Sequence, residues 1–489
     1  MNISKKTKIV CTIGPSSDNY ETCKQLYYAG MNCMRLNFSH GTHEEHATKL
    51  AIAERLEKED NILVPVMLDT RGPEIRTHNF ENGSATIETD SIITISMNEV
   101  LGNSTHFSVN YPNLYDDMEV GQHIKVDDGS LTLQIIEKNK ENRELICKAL
   151  NRHTVKNRRG INCPETEINM DYISKKDYDD LVWGCSQRFS YIAASFVRNA
   201  DDILQIRKIL TDNNRPDIKI IAKIENPIAV KNLDEILKVT DAVMVARGDL
   251  GVEIPAEEVP IVQKEIIKKC IAANKPVITA TQMLDSMKNN PNPTRAEVSD
   301  VANAVFESTD CVMLSAETAN GEYPILAAET QAKISSRIES YINYSGNIIS
   351  SINRMIEISK KNLSVSDALA TSVVQTATML STKLIVVFST SLEPAKLLSR
   401  NRPCCPILFV TDNKKEALES CLYWGVQPLV LPELPQFIEE MEVIALLNAK
   451  RINLPAGAKM IITGAIPTGA KNNNFMKVIQ INTSKEIDL

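Results

Sequence analysis

Residues 219–249 read KIIAKIENPIAVKNLDEILKVTDAVMVARGD. The stretch holds two short apolar runs, 219–225 and 242–249, and each closes on charged residues. A short apolar run without alternation is how a strand buried on both faces reads, and such strands belong to parallel sheets. Working outward, the same unit recurs at 8–14, 31–39, 63–70, 191–197, 276–282 and 311–318, most of them ending in polar residues. Amphipathic stretches such as 261–273 and 303–307 separate most of these runs. Eight strand-then-helix units predict an α/β chain closed into a parallel (β/α)8 barrel, the TIM-barrel architecture, rather than an open sheet.

One gap breaks this rhythm. Between Thr70 and Met170 the pattern changes to period two, with candidate strands at 85–88, 92–95, 123–126 and 131–134. Glu81-Asn82-Gly83 and Asp127-Asp128-Gly129 read as turns between them. The expectation is a small β-barrel inserted after the third barrel strand, placed over the mouth where a lid is useful. From about residue 342 a third region follows, with a helix at 366–380 and strands at 384–388, 407–411, 429–431, 459–463 and 477–481. It reads as a C-terminal α/β open-sheet domain. The expected division is a barrel over 1–69 and 165–341, a lid over 70–164 and a C-terminal domain over 342–489. No internal sequence repeat is present.

With 489 residues the chain is too long for one ordinary core. Its 43% hydrophobic and 24% charged content is that of a globular protein, and a net charge of −8 argues against a nucleic-acid surface. The 11 cysteines form no CxxC pair and no metal spacing, which suits reduced thiols in a cytosol. The opening residues carry no signal-peptide pattern, and no apolar run approaches the ~18 residues a membrane span needs. A cytoplasmic location without a membrane partner is therefore expected. There is no Walker loop, protein-kinase glycine loop, GxSxG or HExxH motif. The seven histidines form no cluster, and only His40 falls at the expected mouth.

In a (β/α)8 barrel the reactive groups project from the C-terminal ends of the strands. Alternation along the second strand puts Arg35, Asn37 and Ser39 on one face. Arg35 can hold a phosphate or carboxylate by a fork of two hydrogen bonds. The third strand adds Asp69 and Thr70. Neutral oxygens with one carboxylate suit a weakly charged cation, and equally suit a polar rim bonded to its own loops. The fifth strand brings Lys223 and Glu225 two residues apart on one face. Such a pair is commonly a solvated ion pair, but at a buried strand end it needs a partner or a task. The sixth supplies Asp249, which with Glu225 can hold one Mg2+ through hard oxygens, and Gly248, which permits close approach of backbone to a ligand. Thr281 ends the seventh strand, and Ser315 and Glu317 end the eighth. These three are either a proton relay through water or ordinary rim hydrogen bonding.

Several segments together resemble the pyruvate kinase family. They are residues 7–17 (TKIVCTIGPSS), 34–41 (MRLNFSHG), 68–77 (LDTRGPEIRT), 223–226 (KIEN), 244–253 (MVARGDLGVE), 280–287 (ATQMLDSM), 293–304 (PTRAEVSDVANA) and 313–318 (MLSAET). The resemblance covers both barrel segments closely, the insert moderately and the C-terminal domain weakly. It implies phosphoryl transfer from phosphoenolpyruvate to ADP, giving pyruvate and ATP, the last step of glycolysis. Lys223 is then expected to stabilise the transferring phosphoryl group and the enolate. Glu225 and Asp249 bind Mg2+ (or Mn2+), and Arg35 contacts the phosphate. Gly248, Asp249 and Thr281 hold the substrate carboxylate. Asn37, Ser39, Asp69 and Thr70 bind K+, and Asn37, His40, Arg76 and Arg159 meet the nucleotide. Arg159 comes from Asn157-Arg158-Arg159-Gly160-Ile161-Asn162, where the family often reads Ser-Lys-Lys-Gly-Val-Asn, and Arg71 stands where many relatives carry Lys. Both keep the charge.

The resemblance also implies a homotetramer with a regulatory C-terminal domain. Glu74 occupies the position that carries Glu in K+-dependent members and Lys in K+-independent ones, so K+ dependence is expected. The effector loop of allosteric relatives resembles Thr-x-Ser-Gly-x-Thr. Here it is Ser389-Thr390-Ser391-Leu392-Glu393-Pro394, with Asn472-Asn473-Asn474 in the later loop. A carboxylate among phosphate ligands is unfavourable. Weak or absent activation by fructose 1,6-bisphosphate is expected, with another phosphorylated effector open. Two other readings compete: a barrel lyase that stabilises a pyruvate enolate with Mg2+, and a metabolite-binding relative without activity. The first needs neither Lys223 nor a nucleotide lid, and the second would be expected to lose Lys223, Glu225 or Asp249.

Overall fold

The computed structural model describes residues 5–164, 166, 168–344, 364–468 and 473–481. Its first strands are β1 (Lys8–Thr12), β2 (Cys33–Asn37) and β3 (Val66–Asp69). The insert follows with β4 (Ile75–Arg76), β5 (Ser84–Ile87), β6 (Ile92–Ser96), β7 (His106–Ser108), β8 (His123–Val126), β9 (Leu131–Asn139), β10 (Glu144–Ala149), β11 (His153–Lys156) and β12 (Gly160–Asn162). The barrel resumes with β13 (Tyr191–Ala194), β14 (Lys219–Ile224), β15 (Ala242–Ala246), β16 (Val277–Ala280) and β17 (Cys311–Leu314). These eight barrel strands pair in parallel and close in the order β1-β17-β16-β15-β14-β13-β3-β2. Each expected run holds one of them, with its polar residues at the C-terminal end of the strand or just beyond it.

Two cores account for the unbroken apolar runs. Side chains of one parity, such as Ile9, Leu36, Leu68, Ile220 and Val243, pack outward against the helices. Those of the other parity, such as Val10, Met67, Tyr191, Ile221, Met244 and Met313, fill the barrel interior. Burying each such side chain contributes about 1.5–3 kcal/mol. The helix His43–Asp60 is started by a capping box of Thr42 and Glu45, and Arg295–Phe306 by one of Thr294 and Glu297. Continuing the inward parity toward the C-terminal ends reaches Arg35 and Asn37 on β2, Asp69 on β3, Lys223 and Glu225 from β14, and Ser315 and Glu317 after β17. The alternation that builds the interior therefore also aims these groups at the mouth.

The expected small barrel of the insert takes the form of a seven-stranded sheet, β4-β12-β8-β9-β10-β6-β7, and a two-stranded sheet, β11-β5. Ile87 and Val155 of the small sheet share one core with Ile95, Leu133 and Leu145 of the large one. The C-terminal sheet is open, with β18 (Leu384–Phe388), β19 (Ile407–Thr411), β20 (Val426–Val430), β21 (Lys459–Gly464) and β22 (Phe475–Gln480) in the order β20-β19-β18-β21-β22. Its edge strand β22 is antiparallel. This domain seals the base of the barrel. Leu422 joins the barrel's interior core, the Tyr191 hydroxyl donates to the Glu419 carbonyl (2.7 Å), and Gly425 N–H donates to the Lys6 carbonyl (2.8 Å). All eleven cysteines are free thiols. Among the described residues no helix is long and apolar enough to cross a membrane.

Candidate active site

Lys223 is the centre of the charged cluster at the mouth. Its Nζ donates to the Ser195 hydroxyl (2.7 Å) and to Asp69 Oδ1 (3.1 Å), and pairs with Glu225 Oε1 (3.0 Å). Burial opposes its charge, but Asp69 and Glu225 outweigh that and hold its pKa above the ordinary lysine value. Asp69 is 1% exposed. Burial works against its ionisation, yet Arg35 and Lys223 keep its carboxyl below the usual range. Arg35 is gripped from two strands, by Asp69 Oδ2 (2.5 Å) and the Thr12 hydroxyl (2.9 Å). Its guanidinium is thereby fixed at the mouth at little further entropic cost on ligand binding.

Glu225 accepts the N–H of Phe196 (2.5 Å). Burial raises its pKa; the charge of Asp249 adds to that and Lys223 opposes it. Asp249 lies in the helix Arg247–Glu253 that follows β15. A buried Glu225 whose charge is discouraged by the nearby carboxylate of half-buried Asp249 makes the two a donor set that a divalent cation would relieve. Among the described residues no group of three or more His, Cys, Asp or Glu gathers as metal ligands, so the hard-oxygen set here is this pair. Nearby, Asn37 Oδ1 accepts Ser39 N–H (3.1 Å), and the Thr70 hydroxyl donates to the Ala193 carbonyl (3.3 Å). With Asp69 these residues offer one charged and several neutral oxygens, which fits a monovalent cation.

Thr281 sits in the left-handed region at φ 68°, followed by Gln282 at 54°. A β-branched residue there is a genuine outlier, kept only where its surroundings over-determine it. Arg247 does much of that work, donating to the Ala280 carbonyl (3.2 Å) and the Thr281 carbonyl (2.8 Å) while pairing with Asp300 (2.6 Å). The Thr281 hydroxyl donates to the Ala280 carbonyl (2.6 Å) and accepts Gly248 N–H (2.7 Å). A side chain at Gly248 would abut that hydroxyl at 3.4 Å. In the other half of the expected relay, the Glu317 carboxylate is engaged by backbone N–H groups. Glu317 accepts Leu284 N–H (3.1 Å) and Ser315 N–H (2.7 Å), a bridge between two rim loops. Burial raises its pKa against those bonds.

A cleft of about 320 Å³ runs between insert and barrel, and its walls include His40, Glu74, Arg76, Asp128, Arg159 and Asp249. His40 is exposed at the rim. Glu74 Oε2 accepts from Arg71 (3.0 Å) and Arg76 (2.7 Å), and Arg159 lies 3.5 Å from Asp127. Burial, then the charge of Asp249, raises the pKa of Asp128 across the cleft. The insert also touches the helix that carries Gly248 and Asp249. Lys125 donates to the Val252 carbonyl (2.5 Å) and Asn162 to Glu253 (2.7 Å). The effector loop lies apart, at the end of β18. Ser389 and Ser391 hydroxyls accept Ser391 N–H (3.1 Å) and Glu393 N–H (3.3 Å), Thr390 is exposed, and Leu392 N–H donates to a second carboxylate, Glu416 (2.7 Å). In the later loop Asn473 donates to Thr463 (3.4 Å), and Asn472 falls outside the described residues.

Sequence reasoning missed Ser195, Phe196, Thr12 and the clamping role of Arg247. Ser195 was open to discovery, since Tyr191, Ala193 and Ser195 continue the inward parity of β13. The positive φ of Phe196 (52°) leaves no mark in the sequence.

The fold and the cluster have known counterparts. Residues 4–328 match the family model described as pyruvate kinase, barrel domain, and residues 367–479 match pyruvate kinase, alpha/beta domain. The pyruvate kinase of Bacillus licheniformis is 49% identical over 478 residues, and that of Geobacillus stearothermophilus 45% over 478 residues, each alignment covering 97% of this chain and 80% of the relative. Among solved structures, a pyruvate kinase from Cryptosporidium parvum superimposes with a TM-score of 0.90 at 36% identity, over 98% of this chain and 96% of that one. With both domains matched and relatives of this identity aligned along nearly its whole length, the chain belongs to the pyruvate kinase family.

Proposed function

We propose that the chain transfers the phosphoryl group of phosphoenolpyruvate to ADP. The observation that supports this most directly is Lys223, buried and held charged between Asp69 and Glu225 at the barrel mouth. Phosphoryl transfer asks the protein mainly for positioning and for charge placed where negative charge develops. Lys223 faces the transferring group and the enolate oxygen, and Arg35 holds the phosphate. The substrate carboxylate takes the place at Gly248 and Thr281, exchanging for the bond those two residues now share. Glu225 and Asp249 hold Mg2+ or Mn2+, and Asn37, Ser39, Asp69 and Thr70 hold K+. When bound, these cations supply positive charge that neutralises and orients the phosphoryl oxygens.

His40, Arg76 and Arg159 line the nucleotide side of the cleft, with Asn37 below them. The enolate must take a proton at carbon, and the Thr281 hydroxyl hands one on through water. Glu317 and Ser315 support the loops from which it acts. Cytoplasmic action is supported by eleven free thiols. A homotetramer is supported by apolar side chains left exposed on both the barrel (Phe306, Tyr341) and the C-terminal domain (Met379, Val478). Glu393 and Glu416 beside the effector loop support weak activation by fructose 1,6-bisphosphate.

The test is ATP formation from phosphoenolpyruvate and ADP with Mg2+ and K+. Lys223→Met is expected to lower kcat about 10³-fold, the scale of losing one preorganised charge at the transition state. Turnover should collapse when K+ and NH4+ are omitted. No ATP from the wild type, or a Lys223→Met variant as fast as wild type, refutes the reading.

A further inference from the structure

The insert hangs on two crossings of the chain, outward after β3 and back before the helix Lys175–Cys185. One carboxylate joins them. Asp177, 2% exposed, accepts the N–H of Arg71 (3.1 Å) and of Gly72 (3.3 Å) on Oδ1. Its Oδ2 accepts the hydroxyl of Ser174 (2.6 Å), whose Oγ in turn accepts Asp177 N–H (3.1 Å). Ser174 is the N-cap of the helix and Asp177 its third residue. From that position an acidic side chain ordinarily reaches back to the cap's own N–H. Here it is turned across to the outgoing strand instead. Its neighbour Lys176 reaches the other way, to the Phe38 carbonyl (2.9 Å) beyond β2.

The strand it grips has no slack. Gly72 lies at φ 75°, and a side chain there would come within 2.9 Å of Ser195, the residue that holds Lys223. A small rotation at Arg71–Gly72 is thus resisted on the barrel side and passes to the insert side, where Glu74 and Arg76 follow within four residues. We propose that Asp177 is a positioning residue that fixes the angle of the lid over the barrel mouth. Through it Asp177 governs the nucleotide half of the site and leaves the phosphoenolpyruvate half, built on Lys223 and Arg35, nearly unaffected. This rests on the function proposed above.

The test is steady-state kinetics of the full chain as wild type, Asp177→Ala, Asp177→Asn and Ser174→Ala, with thermal midpoints measured alongside. Losing acceptors for two backbone N–H groups is expected to raise KM for ADP about tenfold in Asp177→Ala, while KM for phosphoenolpyruvate stays within about twofold. Asp177→Asn keeps one acceptor oxygen and should rise about threefold, so it carries the comparison if the alanine variant does not fold. Ser174→Ala, which frees only the returning strand, should fall between wild type and Asp177→Asn. Equal rises in both KM values, or a lowered midpoint with neither KM changed, would overturn the assignment. A wild type that forms no ATP would instead bring down the function on which it stands.

Discussion

The two ends of the barrel each bury lysines, and they treat them in opposite ways. At the mouth Lys223 has two carboxylates and a hydroxyl, and its pKa is raised. At the base Lys8 is 1% exposed and donates to the Val426 carbonyl, while Lys5 donates to the Thr7 carbonyl (2.7 Å) and Asn32 (2.9 Å). Burial lowers both base lysines' pKa; Lys8 adds to the cost at Lys5, and Glu339 offsets only part of it at either. Burial alone therefore does not make a catalytic cation. The mouth invests two buried acids in keeping one ammonium charged, whereas the base uses its lysines as long donors to neutral oxygens, Lys8 to the C-terminal domain and Lys5 within the barrel.

The sharpest way to break that contrast is to remove the ammonium at each end. Beside the roughly 10³-fold loss expected of Lys223→Met, Lys8→Met should keep kcat within about threefold. Its stability should shift by less than about 2 kcal/mol, because one hydrogen bond is lost while a costly buried amine is removed. Turnover with each variant and its unfolding midpoint check both halves. A Lys8→Met variant as inactive as Lys223→Met would mean that the base, too, serves chemistry.

The same contrast explains what was legible in the sequence. Barrel strands are buried on both faces, so they stand out as apolar runs, and a charge at the end of such a run, as at Lys223 or Asp69, is conspicuous. Ser195 is neutral and small, so the end of β13 looked silent. Arg247 has no visible task in the sequence, because its grip on the carbonyls of Ala280 and Thr281 is a contact between distant segments. In the insert, β10 alternates cleanly, but its buried positions Leu145, Cys147 and Ala149 include two weakly apolar residues. The two or three residues of β4, β7 and β12 are too few for any period to register. The base lysines were not read at all. Near Met1 they look like an ordinary charged terminus, and their burial comes from segments distant in the sequence, Asn32 beside Lys5 and Val426 beside Lys8.

A second prediction sharpens the comparison through pH. Burial, then the neighbouring Lys8, lowers the Lys5 pKa from 10.5 to about 7. Between those values the unfolded chain binds more protons than the folded one, so stability rises with pH across that window and is fully gained above it. The gain is about 3 kcal/mol once relaxation of the site is allowed for. Lys5→Met should reduce that slope, leaving the part that Lys8 contributes, and denaturant unfolding at a series of pH values from 7 to 10 compares it directly with wild type. An unchanged slope would mean that the Lys5 amine stays charged and that base and mouth are alike.

The smallest effect is expected where the two ends are joined. Glu419, 8% exposed, pairs with Lys396 (2.9 Å) on the helix Glu393–Arg400 behind the effector loop, and with Lys219 (3.1 Å) at the foot of β14. The far end of that strand carries Lys223 and Glu225. If the base only docks the domain, Glu419→Gln should cost about 1 kcal/mol of stability, the scale of partly exposed ion pairs, and leave kcat within about twofold. If instead the foot of β14 sets the position of its tip, kcat should fall with little change in either KM, because a displaced Lys223 weakens transition-state contacts first. Measuring both quantities on one variant decides between a foot that merely anchors and one that steers, since strands buried on both faces are stiff enough to transmit a shift only if the foot itself moves.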